Sequence, residues 1–320
     1  MRNQILTLIT IILAITLLTG CTSTATSKNT QNSILNNSSQ ATSTTNQSTI
    51  LKSQTNEDLP AYFFSSAELD YVVKSKSGDL LVTGQTNESF NINGFAIKSQ
   101  SKMDIFTMQL TNDLVPKWVN YVSGTGTKHV VGSSKLSDDT TILALNIDNY
   151  IEVSTQKISL DKSKINEGFV ILFFGTQGEL KKSILFESTN EVRMSSIIVG
   201  NDDSIFVTGY YKGELTYNGA ALGSQTNGGN ITLKLGQDNA IIWKKNYGGG
   251  LLKIDNKQNL YLSASQTTKV TIGEIEIGLP SGRFNGTFLA KIQSNGEAMW
   301  AKSINYEPKD FEIDNEENII

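Results

Sequence analysis

The chain has 320 residues, with 27 Lys+Arg against 31 Asp+Glu, one His, one Cys and four Pro. One Cys excludes an intrachain disulfide and any zinc site built on two or more thiolates; one His, His129, excludes HExxH and every multi-histidine metal centre. The balance is mildly acidic with no Lys/Arg cluster, which excludes the positive field a nucleic-acid partner requires.

Residues 1–4 hold one positive charge, Arg2, and 5–18 are almost wholly apolar. That is the length of a secretory signal's apolar region and falls short of the ~20 apolar residues of a membrane span. The run ends in Leu18-Thr19-Gly20-Cys21. It resembles the bacterial lipoprotein lipobox: an aliphatic residue, two small residues that let a peptidase approach the backbone, and a Cys whose thiol takes the lipid. The resemblance implies a signal peptide over 1–20, acylation of Cys21, and an exported protein tethered by lipid to the outer membrane or cell surface. Thr22, in place of Asp, fits release to the outer membrane. Each buried acyl CH₂ contributes ~0.8 kcal/mol, so two or three chains anchor stably. Residues 22–58 are dominated by Ser, Thr, Asn and Gln without apolar periodicity, so 21–58 is expected to be a disordered stalk.

From residue 59 the chain repeats itself. A turn followed by a strand, Ser77-Gly78-Asp79-Leu80-Leu81-Val82-Thr83-Gly84, returns as Asp202-Asp203-Ser204-Ile205-Phe206-Val207-Thr208-Gly209, with weaker copies from Asp138 and Asn256 and a fifth opening at Asp314. Phe106, Ile231 and Phe288 each start an alternating strand followed twelve residues later by Trp118, Trp243 and Trp300. A degenerate copy from Phe169 puts Lys181 in that place. Turn residues such as Asn93-Gly94, Gln177-Gly178, Asn218-Gly219 and Asn295-Gly296 separate the strands. The period is about 55–65 residues with four short strands in each copy, and no helical periodicity is present. In the third copy the strands read 196–199, 204–209, 213–217 with Ala221-Leu222, and 230–235 running on to Trp243.

Four-stranded antiparallel units at this period predict an all-β chain, a β-propeller of about four blades plus the start of a fifth, at roughly 67–125, 126–192, 193–250, 251–308 and 309–320. Trp118, Trp243 and Trp300 are then core residues that fill the wedge between adjacent blades. The run Asp255 to Leu262 with Phe288, Lys291, Ile292, Gly296 and Trp300 resembles the SBBP-type (seven-bladed beta-propeller) repeat of bacterial surface proteins; Val207-Thr208-Gly209 with Lys234, Leu235 and Trp243 matches it in the third copy. The resemblance covers about 67–320 and implies a scaffold with no fixed catalytic residues. The chain stops at Ile320 in mid-strand, which points to a fragment of a longer propeller; the alternative is that 311–320 pairs with the first blade and closes a four-bladed ring.

Chemistry is sparse. Asp255 to Asn259 and Asp314 to Asn318 match the first half of a calcium loop but lack its Gly and distal Glu, so they are expected to be plain turns. Tyr247-Gly248-Gly249-Gly250 lacks the helix that a phosphate cradle needs. His129 is expected in a surface loop. Tyr210-Tyr211 is weighed as an edge for a sugar or peptide against a packing role. No metal or cofactor is expected. The sequence therefore predicts a non-enzymatic, membrane-anchored lipoprotein that binds a protein or glycan. Its alternatives are an envelope assembly factor of the propeller-lipoprotein type, or a propeller enzyme such as a quinone-dependent dehydrogenase or polysaccharide-active protein.

Overall fold

The computed structural model describes residues 67–75, 77–92, 94–99, 103–279, 285–305 and 308–320. The signal segment, the stalk, and with them Leu18, Thr19, Gly20 and Cys21, lie outside the described residues. The chain is all-β: its sheets are antiparallel and the described residues contain no helix.

The strands fall into four consecutive four-stranded meanders. Unit one is β1 (Ala67–Lys74), β2 (Leu80–Thr86), β5 (Asp104–Leu110) and β6 (Pro116–Ser123), with a small hairpin β3 (Phe90–Ile92) and β4 (Phe95–Ile97) between its second and third strands. Unit two repeats this with β7 (Lys128–Lys135), β8 (Thr141–Ile147), β11 (Glu167–Phe174) and β12 (Leu180–Ser188), around the hairpin β9 (Ile151–Val153) and β10 (Gln156–Ile158). Unit three is β13 (Glu191–Val199), β14 (Ile205–Tyr217), β15 (Ala220–Leu235) and β16 (Ile241–Lys245). Here the extra hairpin is fused into the long middle strands, so the short pieces expected at 213–217 and 221–222 are continuations of β14 and β15 rather than separate strands. Unit four is β17 (Leu251–Ile254), β18 (Leu260–Gln266), β21 (Gly286–Ile292) and β22 (Ala298–Ile304), with the hairpin β19 (Val270–Ile272) and β20 (Ile275–Ile277). The segment 311–320 bridges onto itself at Ile313 and Ile319; it makes no described pairing with β1, contrary to the ring-closing alternative.

One turn builds all four units. In the stretches 75–79, 111–115, 136–140, 175–179, 200–204, 236–240, 255–259, 293–297 and 314–318, the first N–H binds the fifth C=O and the fourth N–H binds the first C=O. The fourth residue is left-handed every time: Gly78, Leu114, Asp139, Gly178, Asp203, Asn239, Gln258, Gly296 and Glu317. This is the three-residue hairpin loop with a left-handed residue, whose twist matches the strands it joins.

Packing runs from unit to unit. The middle strands are buried on both faces: β5 and β8 along nearly their whole length, and β11 from Gly168 onward. Successive side chains of β11 go to different cores. Phe169, Ile171 and Phe173 pack with Val207, Ile231 and Leu233 of unit three, whereas Val170, Leu172 and Phe174 pack with Ile105 and Val122 of unit one. Strand alternation therefore serves two neighbours at once. Two hairpins also reach backwards: β9 pairs with β6 through Val122–Val153, and the extension of β14 pairs with β12 through Phe186–Tyr217.

The tight turns add seams of their own. Ser137 N–H donates to Asp203 Oδ1 at 2.7 Å, Asn201 N–H to Gln258 Oε1 at 3.0 Å, and Lys291 Nζ to Glu317 Oε2 at 2.5 Å. In each case the acceptor is the left-handed fourth residue of the next unit's first turn. Glycines at the other turns receive indole rings: a Cβ on Gly178 would come within 2.9 Å of Trp118, and its φ is +83°. Gly178→Ala is expected to lower stability by ~2 kcal/mol through overpacking added to backbone strain. Gly219→Ala is the control, because Gly219 has φ +80° but nothing within 4 Å of the added Cβ. Urea unfolding of both variants separates the two contributions, with Gly178→Ala expected to be clearly the worse.

Candidate functional site

An antiparallel meander puts its first and third connections at one end and its second connection, with the link to the next unit, at the other. The nine tight turns occupy the first end. The hairpin-bearing connections and the unit-to-unit links occupy the second; ion pairs such as Asp79 with Lys117, Asp202 with Lys234 and Asp255 with Lys291 lie beside the tight turns at the first.

At this second end the first strands of units one to three present Glu68, His129 and Arg193, opposite Gln85, Asn146 and Tyr210 of their second strands. A bulge follows at once in each, leaving Asp70, Val131 and Ser195 as the unpaired extra residues. Bulges bend a strand and re-aim its side chains. They also press backbone on backbone: a Cβ on Gly84 would lie 2.2 Å from Glu68 O, and one on Gly209 2.4 Å from Arg193 O. That close approach is the physical reason for the glycine ending each Val-Thr-Gly strand.

Gln85 Nε2 donates to both oxygens of Asp70, at 3.1 and 3.0 Å. Burial raises the Asp70 carboxyl above its usual range; the Gln85 hydrogen bond works against that, Glu68 adds to it and His129 opposes it. Tyr71 Oη donates to Val131 O at 2.8 Å, tying unit one to unit two, and burial raises its phenol too, helped by Asp70 and Asp310. Asn146 buckles unit two to unit three, donating to Met194 O at 2.8 Å and accepting from Met194 N at 3.0 Å. Ser195 Oγ donates to Gly250 O at 3.3 Å and Thr208 Oγ1 to Gly248 O at 2.8 Å across the next seam. Arg193 is two-thirds exposed and pairs with Glu191 at 3.1 Å and Glu167 at 3.5 Å. The rim thus offers planar polar groups and a half-buried tyrosine, suited to hydrogen bonding and stacking. Among the described residues no group of three His, Cys, Asp or Glu could hold a metal ion, and no helix is long and apolar enough to cross a membrane.

Trp118 is buried, packs on Phe174 of unit two at 6.3 Å between ring centroids, and donates from Nε1 to Gln109 Oε1. Trp243 is half-buried, lies 6.0 Å from Phe206 and donates from Nε1 to Ser294 O of unit four. Trp300 is half-buried and meets Tyr261 edge-on at 6.1 Å. The residue facing these positions in unit two is Lys182, not Lys181: Phe173 pairs with Lys182 just as Gln109, Lys234 and Lys291 pair with their tryptophans. Unit two therefore exchanges the two chemistries across the strand pair, with Lys182 Nζ 4.4 Å from the Phe173 ring centroid. His129 is an exposed strand residue of β7, because its backbone joins the ladder with Asn146; the loop expectation is corrected. Tyr211 is buried in the core while Tyr210 stays half-exposed on the rim. Asp255 accepts from Lys257 N, Asn259 N and Asn259 Nδ2, which is turn chemistry, and pairs with the buried Lys291 Nζ at 3.1 Å. Sequence reasoning missed Glu68, Asp70 and Arg193. The signal was present: Glu68, His129 and Arg193 each lie seven residues before the start of their unit's first tight turn.

No family model and no curated protein matches the chain. Among solved structures it is similar to a protein of unknown function from Bacteroides caccae, at 13% identity over 77% of this chain and 84% of that one, with a TM-score of 0.33.

Because the Asp70 carboxyl is raised on folding, its contribution to stability is fully present below the ordinary Asp range and is lost as pH rises through the raised value. Asp70→Asn keeps an acceptor for Gln85 without the charge. It should melt higher than the parent near neutral pH, with the gain vanishing toward pH ~3. Thermal melts across that range check this; a pH-independent difference would refute it.

Proposed function

We propose that this chain is a membrane-anchored, non-enzymatic β-propeller lipoprotein of the bacterial cell envelope, whose hairpin-bearing face binds a protein or glycan. The observation that carries the reading is the division of labour between the two ends of the units. One end is closed by a single turn repeated nine times and latched from unit to unit. The other carries connections of different lengths and a polar rim of Glu68, His129, Arg193 and Tyr210. A stiff frame with variable connections on one face suits recognition. Face-to-face packing of four-stranded meanders, with alternate residues feeding successive cores, is the arrangement a propeller requires. The Leu18-Thr19-Gly20-Cys21 run supports the anchor.

Two measurements test the proposal. Cys21→Ala should abolish incorporation of labelled palmitate; incorporation at the parent's level would refute the anchor. Binding of the 59–320 chain to an immobilised panel of envelope glycans and peptides should weaken by roughly tenfold or more in Arg193→Ala/Tyr210→Ala, as expected for hot-spot side chains. Binding that ignores the double substitution would place the ligand off this rim.

A further inference from the structure

A bulge follows the second tight turn of every unit. The residue it leaves unpaired at the head of the fourth strand is Lys117, Lys181, Ile242 and Met299 in turn. A bulge re-aims the side chain it carries. In units three and four that side chain is large, apolar and held in solvent: Ile242 is 58% exposed and Met299 47%. Their strands differ from the other fourth strands in a second way. β9 pairs onto β6 and β14 onto β12, whereas β16 and β22 end their sheets among the described residues.

Basic residues follow each apolar one within three positions: Lys244 and Lys245 after Ile242, Lys302 after Met299. Neither strand carries an acid, in a chain whose net charge is −4. The buried lysines of the adjacent third strands are paired, Lys234 with Asp202 and Lys291 with Asp255. Among the described residues Lys244, Lys245 and Lys302 take part in no ion pair: Lys244 Nζ donates to Leu222 O at 2.5 Å, and Lys302 Nζ lies 5.9 Å from the Trp300 ring centroid. The acids of the adjoining turns are engaged within those turns, Asp238 by Ala240 N and Glu297 by Asn295 Nδ2. The two strands also meet across the seam. Trp243 Nε1 donates to Ser294 O, and a Cβ on Gly296 would stand 3.1 Å from Lys245 Cε, so Lys245 reaches the turn that precedes Met299.

We propose that this wall, formed by Ile242, Lys244, Lys245, Met299 and Lys302, lies on the surface of a bilayer that contains anionic phospholipid. Its unpaired ammonium groups are complementary to phosphate headgroups. Its apolar side chains project singly from bulges, which suits an interface that asks for no shape complementarity. The apolar tips enter the headgroup boundary while the lysine stems run beside them. An acidic protein segment would match the charge, but it would have to enclose two separate projecting side chains in packed pockets. Each lysine near an anionic surface is worth roughly fivefold in binding, so the contact is weak for a free chain and effective for one already held at the membrane. The inference goes beyond the proposed function: the wall is distinct from the rim of the first strands, and its residues are read without reference to the acyl anchor.

Co-sedimentation of the full chain carrying Cys21→Ala with vesicles of phosphatidylcholine, with or without phosphatidylglycerol, tests the wall. Replacing Cys21 takes lipidation out of the comparison, so failure of the anchor and failure of the wall give different results. At low salt this chain should bind the anionic vesicles roughly tenfold or more tightly than the neutral ones, and about 0.5 M NaCl should remove the advantage. Adding Lys244→Gln/Lys245→Gln/Lys302→Gln should abolish most of it, and adding Ile242→Ser/Met299→Ser should weaken binding to the anionic vesicles by roughly tenfold. An advantage that survives the three lysine substitutions unchanged overturns the proposal. A second readout needs no change to the wall. Every tryptophan lies in the repeats, and Trp243 and Trp300 stand on the wall's own strands. Phosphatidylglycerol brominated near the headgroup should therefore quench tryptophan emission; binding without quenching places the contact in residues 1–58 and overturns the proposal. Retention on immobilised polyglutamate that depends on the three lysines, without a preference for anionic vesicles, assigns the wall to an acidic protein and overturns it as well.

Discussion

A four-stranded sheet whose middle strands are apolar on both faces cannot be stable alone, and this constraint organises the whole molecule. Fully burying one Val, Leu, Ile or Phe side chain is worth ~1.5–3 kcal/mol, and β11 alone carries Phe169 to Phe174 as an unbroken buried run. Half of that run can be satisfied only by unit one and half only by unit three. The units are therefore mutually dependent, and the backward reach of β9 onto β6 and of β14 onto β12 follows from the same need, since each added strand also occupies an exposed edge. Buried polar groups at the seams are paired to match: Lys128 and Asp104, both almost fully buried, meet at 3.5 Å between units one and two, and Lys128 Nζ also donates to Gly124 O at 3.0 Å.

The tight turns show how strain and contact offset each other. A left-handed conformation costs a non-glycine residue ~1–2 kcal/mol, and a hydrogen bond returns ~0.5–1.5 kcal/mol net. Asp203 and Gln258 accept that cost at positions where the preceding unit supplies a donor. At Gly78, the corresponding place in unit one, no earlier described unit exists and glycine removes the cost. The second turns follow a different rule, set by whether an indole must fit. Nothing in the structure explains why Leu114 tolerates its conformation.

Much of this was legible in the residues. Asp, Asn and Gly at fixed offsets mark the turns because only they, and residues held by a partner, sit easily at positive φ. The tryptophans mark strand four because a large ring needs a seat. The register of unit two was not legible, and the reason is physical. In Glu167–Phe174 every position from Phe169 onward is apolar, so alternation cannot say whether Phe169 or Val170 corresponds to Phe106. A one-residue shift then moves the tryptophan position from Lys181 to Lys182 and reverses which face it occupies. The backward strand pairings were hidden for a different reason: β9 and the end of β14 choose partners in the preceding unit, and no local pattern carries that choice. The rim was hidden because its residues share a position without sharing a type.

That last contrast bears on how such a chain can acquire a binding face. Equivalent buried positions repeat in kind: Val82, Leu143, Val207 and Leu262 are aliphatic, and Phe106, Val170, Ile231 and Phe288 are apolar. Equivalent rim positions diverge instead, from the acid Glu68 to the imidazole of His129 to the guanidinium of Arg193. In units one to three the rim residues stand on the first strand, directly beside the second strand that carries Val82, Leu143 and Val207, so the divergence is not a matter of distance from the core. In units one to three a bulge in the first strand, at Asp70, Val131 and Ser195, falls just where the rim begins and re-aims the side chains there. On the proposed reading, a ligand lying across units one to three meets a different charge on each, so the repeat that makes the frame uniform is also what allows its face to tell one end of a ligand from the other.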